Sequence, residues 1–127
     1  MRVIGENKAL LVAATLSAAM AVAAGAFGAH GASSAKAAEW LRTGGEYQLI
    51  HGVAVMSLAL AGRFVRQGWV MIAGALIFAA TLYGMAVGGP RWLGAITPIG
   101  GTLLIGGWLW IAVAALRSND LQDRETL

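Results

Sequence analysis

Residues 9–28 read ALLVAATLSAAMAVAAGAFG, without a single charge. A hydrocarbon layer about 30 Å thick is crossed by about 20 residues of α-helix, so this run has spanning length. In lipid the backbone must satisfy its own hydrogen bonds, and a helix does so within one segment. Working outward, three further stretches repeat the pattern: 47–65, 68–87 and 98–116. Arg63 stands near the end of the second, where a long side chain can snorkel to the headgroups. None of the four shows the apolar–polar alternation of a half-buried strand. The fold expected is an all-α membrane protein, a four-transmembrane-helix bundle forming one domain over residues 1–127. Arg2 and Lys8 ahead of the first run, with the small-residue pattern Ala21-Val22-Ala23 inside it, also suit a secretory signal peptide. The run is longer than the ~7–15 residues of a signal core, so it is expected to stay as a span.

Composition agrees. Hydrophobic residues make up 58% of the 127 and charged residues 12%, with a net charge of +3. Soluble domains carry about 25% charged residues, so the surface of this chain must face lipid. The Lys and Arg residues are scattered rather than gathered into a phosphate-tracking run, which excludes nucleic acid as a partner. The chain has no cysteine, and hence no disulfide, thiolate metal site or cysteine nucleophile.

The connections set the layout. Between the second and third spans Arg66, Gln67 and their neighbours are expected to turn the chain, making a helical hairpin. Thr97-Pro98 reads as the N-cap and first residue of the fourth span, after a connection from Gly88. Between the first and second spans, Ser33 or Ser34 caps a short helix over about 34–43 that stops at Gly44-Gly45. Ala37, Trp40 and Leu41 share one face of it and Lys36, Glu39 and Arg42 the other, the pattern of an amphipathic helix lying on the membrane surface. With both termini cytoplasmic, Arg2, Lys8, Arg63, Arg66, Arg117 and Arg124 fall inside and only Lys36, Arg42 and Arg91 outside, as positive charge in short loops prefers. Residues 117–127 then form a cytoplasmic tail. Trp40, Tyr47, Trp69 and Trp92 lie near span ends, where amphipathic rings suit the headgroup layer.

Eighteen glycines are many for a helical chain. Small side chains let helices approach closely in lipid. Ala24 with Gly28, and Gly84 with Gly88, form small-xxx-small pairs, and Gly100, Gly101, Gly106 and Gly107 put small residues on more than one side of the fourth span. These contacts serve packing within the bundle or a seam between copies.

The spans hold no Asp, Glu or Lys, unlike ion-coupled pumps and carriers. Their ionisable exception is histidine. His30 follows the first span, and His51 lies inside the second, where Tyr47, Gln48 and His51 share a helical face by their i, i+3 and i, i+4 spacing. Glu39 and Glu46 belong to the same outer end. Three uses are open. One is a hydrogen-bonded latch that keeps His51 neutral. Another is a metal site built on His30 and His51, whose ligand types fit but whose separation is not that of a helical zinc motif. The last is an outer-interface pocket for a quinone, haem or lipid headgroup. Ser17, Ser33, Ser34 and Ser57 have no base at telling spacing and no nucleophile elbow. The reading is a non-enzymatic protein, an accessory or assembly subunit of a membrane complex or a homo-oligomer. The alternative is a bundle binding a small ligand or metal, and no cofactor is specified.

The run Gly25-Ala26-Phe27-Gly28-Ala29-His30-Gly31 is followed by Trp40, Thr43-Gly44, Tyr47-Gln48 and His51, then by Leu82-Tyr83, Leu93-Gly94, Ile96-Thr97-Pro98-Ile99-Gly100-Gly101 and Gly107-Trp108. In this order, from about Ala24 to Trp108, the chain resembles the membrane family called domain of unknown function 423, whose animal members are named transmembrane protein 256. The resemblance implies a bacterial inner-membrane protein of three or four helices and no established reaction. Against the family pattern, Ser33 to Ala38 is short and alanine-rich, Ala79-Ala80-Thr81 replaces a Ser- or Gly-containing run, and the tail after Arg117 is long and charged.

Overall fold

The computed structural model describes the backbone of residues 2–126 and the side chains of residues 7–118. Arg2, Arg124 and most of the expected cytoplasmic tail therefore lie outside the described side chains. Four helices follow one another: α1 (Arg2–His30), α2 (Ala35–Ala61), α3 (Val65–Ala86) and α4 (Leu93–Thr126). Non-helical dihedrals at Asn7 bend α1 just before its apolar run. Three helical segments, Asn7–His30, Val65–Ala86 and Leu93–Ser118, are long and apolar enough to cross a membrane.

The expected surface helix is not a separate element. Ser34 caps as anticipated, its Oγ accepting from the Ala37 N–H at 3.0 Å, but α2 then runs unbroken through Gly44-Gly45 to Ala61. The amphipathic segment is its first three turns. The glycines are spacers: a Cβ at Gly44 would stand 2.8 Å from the Tyr83 ring, and one at Gly45 would stand 3.2 Å from the Ala21 carbonyl. Close approach to α1 and α3 at once offsets the helix-propensity cost of about 1 kcal/mol per glycine.

The other connections also shift. The α2–α3 turn is Gly62-Arg63-Phe64, not Arg66-Gln67, which belong to the first turn of α3. Gly62 sits at φ 67°, and the N–H groups of Gly62 and Arg63 reach the Ala59 and Leu58 carbonyls at 3.2 Å each. This is the paired bonding of a Schellman ending. Helix α4 starts at Leu93, so Pro98 lies inside it and Thr97 is no cap. The proline ring removes one bond near the helix start, and the Thr97 Oγ1 instead bonds the Leu93 carbonyl at 3.2 Å and the Thr81 Oγ1 at 2.7 Å.

Helices α1, α2, α3 and α4 pack antiparallel in chain order, with α1 also touching α3. Helix α3 is central, and α4 rests on α3 alone at backbone level. Leu10, Ala14, Val55, Ala59, Met71, Ile72, Ala75 and Leu104 form the main core. A smaller cluster of Ala37, Leu41 and Ala86 closes the opposite end. The α3–α4 contact is made through glycine. Gly74 faces Gly100 and Leu103, Gly100 faces the Phe78 backbone, and Gly107 faces Met71. Meanwhile Leu16, Val22, Ile50, Ile105, Leu109 and Leu116 are exposed. Small residues inside and large apolar ones outside is the arrangement of a bundle solvated by lipid.

Candidate functional site

Gln48 is completely buried. Its Nε2 donates to Ser17 Oγ at 3.2 Å, and its Oε1 accepts from Tyr83 Oη at 2.7 Å. One amide thus ties α1, α2 and α3 together. One turn further along α2, His51 Nδ1 stands 2.6 Å from the Tyr47 carbonyl and its Nε2 stands 3.0 Å from Trp108 Nε1. An indole nitrogen only donates, so Nε2 accepts. The proton of a neutral ring then belongs on Nδ1, where it is donated to the carbonyl. His51 is therefore held as one tautomer, and through Trp108 it forms a polar tie between α2 and α4, whose backbones do not meet.

Aromatic rings surround this histidine. Tyr47 stacks on it with centroids 6.2 Å apart and planes 9° apart, and Phe78 lies 4.7 Å from Tyr47. A cavity of about 450 Å³ opens beside them, lined by Tyr47, His51, Phe78, Gly101, Leu104, Ile105 and Trp108. Gly101 keeps it open, since the nearest atom to a Cβ there would be Phe78 Cδ2 at 3.9 Å. A second tryptophan repeats the theme. With the Gln67 amide oriented by its neighbours, its oxygen accepts from Trp110 Nε1 at 3.3 Å and its nitrogen donates to the Phe64 carbonyl at 3.2 Å. Among the described residues no buried side-chain nitrogen or oxygen lacks a partner.

The expected site residues are not all brought together. Tyr47, Gln48 and His51 neighbour one another, but Gln48 serves α1 and α3, His51 reaches Trp108 on α4, and Tyr47 lies against Phe78 on α3. His30 is exposed at the end of α1. Gly28 packs on Leu41 and Gly52 on Ala14 and Ala18, a register that puts His30 and His51 about 20 Å apart along the bundle. The network lies near the middle of α2, not at its outer end. Glu39 and Glu46 are exposed on α2, and Glu46 is about 140° around the helix from His51. Among the described residues no three His, Cys, Asp or Glu side chains gather as a metal site.

Of the small residues singled out, Gly28, Gly84, Gly100 and Gly107 face neighbours within the chain, Gly101 lines the cavity, and Gly88 serves the α3–α4 turn at φ 96°. Sequence reasoning missed Ser17, Tyr83 and Trp108 as network members. The signal was present in Ser17 and Tyr83, polar groups within apolar runs, which in lipid need partners.

Residues 24–101 match the family model described as "Protein of unknown function (DUF423)". The chain belongs to the DUF423 family. The DUF423 match includes Gln48, His51 and Tyr83, and similarity to individual proteins extends it. A Haemophilus influenzae protein named UPF0382 membrane protein is 40% identical, over 91% of this chain and 99% of that one. The Escherichia coli K12 UPF0382 inner membrane protein YgdD is 33% identical, over 87% and 92% respectively. The Bacillus subtilis UPF0382 membrane protein YwdK is 34% identical, over 87% and 98%. No solved structure matches. This DUF423 chain is accordingly a membrane protein of an uncharacterised family.

Proposed function

We propose that this DUF423 protein crosses the bacterial inner membrane four times, with both termini cytoplasmic, and acts without catalysis as an accessory or assembly subunit. The observation that carries the reading is that the buried polar side chains bond one another across the helices in two sets. Ser17, Gln48 and Tyr83 bond one another, and His51 bonds Trp108 and the Tyr47 carbonyl. They hold helices in place and leave the exposed side of α4 to a membrane partner or a second copy. Antiparallel packing gathers Lys8, Arg63, Arg66 and Arg117 at one end and Lys36, Arg42 and Arg91 at the other, a bias that favours the first end as cytoplasmic.

The test is site-specific photocrosslinking in native membranes from Leu109 and Val113 on α4, with Leu16 on α1 as the reference, each product identified by mass spectrometry. A discrete protein adduct from α4 alone is expected. Lipid adducts only, from all three positions, would remove the reading.

The cavity favours a second reading. Its ring-lined walls at Tyr47, Phe78 and Trp108 suit a flat, lipid-soluble molecule such as a quinone, with the Tyr47 hydroxyl available to bond it. Haem, a divalent ion and a lipid headgroup fit less well, because both His51 ring nitrogens are already engaged. Quinone titration of purified protein should quench tryptophan emission in a saturable way, and Gly101→Leu should abolish the saturable part. Linear quenching unaffected by that change would rule the pocket out.

A further inference from the structure

Helix α2 carries charges beside the apolar part of α1 rather than beyond its end. Glu39, Arg42 and Glu46 recur at i, i+3 and i+7 and so share one face. All three are exposed along the seam with α1. Among the described residues the only ion pair is Lys36 Nζ to Glu39 Oε2 at 3.5 Å, and Arg42 makes neither an ion pair nor a hydrogen bond. A guanidinium beside hydrocarbon is costly unless it finds an anion.

Along the outer side of this packed seam runs an open groove. Two adjoining cavities, of about 480 and 400 Å³, share Gly25 and Arg42 and so form one trough. Its floor on α1 is Ala21, Gly25, Gly28 and Ala29, and nothing lies within 4 Å of a Cβ built at Gly25. The trough is wide and apolar enough to seat an acyl chain, with a cation at its rim.

We propose that this trough binds one phospholipid with a phosphoethanolamine headgroup, its phosphate on Arg42 and its ammonium on Glu39. The polarity fits. Along the face Glu46, Arg42, Glu39, read from the middle of the bundle outward, the cation is followed by the outer anion about 4.5 Å further along the axis, with Glu46 a turn deeper. The headgroup presents phosphate and then ammonium in the same direction. Arg offers a planar fork that matches phosphate oxygens, and the carboxylate accepts N–H bonds that only a primary ammonium can donate. Lys36 and Arg42 are balanced by Glu39 and Glu46, so the patch is neutral as a whole and suits a zwitterion over an anionic lipid. The site rests on the protein lying in a membrane and is independent of the accessory-subunit reading.

The experiment is native mass spectrometry of the full-length protein released from an equimolar mixture of phosphatidylethanolamine, phosphatidylcholine and phosphatidylglycerol. One retained phosphatidylethanolamine is expected. Arg42→Gln should lower its retention about tenfold, while Arg42→Lys keeps part of it. Glu39→Gln should erase the preference over phosphatidylcholine without removing the bound lipid. Gly25→Leu fills the trough from the opposite wall, touches no charge and has open space to occupy, so it should fold and release the lipid even if Arg42→Gln does not fold. Soluble glycerophosphoethanolamine, which lacks the tails, should not compete. Retention that follows the mixture without headgroup preference, a preference for phosphatidylglycerol, or a folded Gly25→Leu variant that still holds the lipid would each overturn the proposal.

Discussion

Gln48 is buried without solvent contact, so its amide is bonded inside the bundle or not at all. Replacing it with Leu orphans the Ser17 and Tyr83 hydroxyls together, and a thermal unfolding curve in detergent should register a loss of about 1–3 kcal/mol. Tyr83→Phe removes only one bond and should cost about 1 kcal/mol or less, the smaller value typical of interhelical bonds in lipid. His51 gives a sharper contrast. His51→Ala leaves the Trp108 N–H without its acceptor and opens a void, whereas His30→Ala changes an exposed helix end. The first should lower the melting temperature clearly, by about 2 kcal/mol in stability, and the second by less than about 0.5 kcal/mol. Equal effects would mean that the histidine does not latch α4. The sequence disclosed part of this. Spacing put Tyr47, Gln48 and His51 together on one helix, because periodicity reports neighbours along an element. It could not say that Ser17, Tyr83 and Trp108 would meet them, since those lie on three other helices whose rotation is set by packing.

Packing also decided the elements where local propensity pointed elsewhere. A Gly-Gly pair reads as a stop by conformational cost, yet α2 continues through Gly44-Gly45 because Tyr83 and the α1 backbone occupy the space a side chain would fill. Thr-Pro reads as a helix start, yet α4 begins at Leu93 with Thr97 bonded to Thr81 on α3. What sequence did reveal was the all-helical class, three of the long apolar stretches and a serine cap at Ser33 or Ser34, all of which depend on length and local chemistry. Two substitutions separate the roles of glycine. Gly44→Leu must push α2 away from Tyr83 and should destabilise by about 1–3 kcal/mol, the usual scale of overpacking. Gly106→Ala meets no atom within 4 Å and should stabilise by about 0.5–1 kcal/mol through helix propensity alone. Unfolding midpoints of the two variants in the same detergent should move in opposite directions.

At the scale of the whole molecule, the charged half of α2 sets the problem, because among the described residues only segments of α1, α3 and α4 qualify as spans by length and composition. Register supports the proposal that α2 crosses too. Its Leu41 packs on Gly28 and its Gly52 on Ala14, so it descends the height that α1 climbs. Helix α3 then starts level with the start of the apolar run of α1, with Gly68 against Leu10. If α1 and α3 both cross, α2 must return the chain between them, holding Lys36, Glu39, Arg42 and Glu46 at its outer end and exposed side. The proposed even number of crossings can be tested because the chain has no cysteine to confuse labelling. Cysteines placed singly at Ser33 and Arg91 should react with a membrane-impermeant maleimide on intact spheroplasts, while those at Arg66 and Ser118 should react only after permeabilisation. Labelling of all four from one face would break the bundle's alternation. Labelling of Arg66 and Arg91 from the same side would remove α3 as a span. The reverse accessibility, with Arg66 and Ser118 outside, would keep four crossings but invert the protein, and the clustering of Lys8, Arg63, Arg66 and Arg117 would then have to answer to something other than the charge bias that orients short loops.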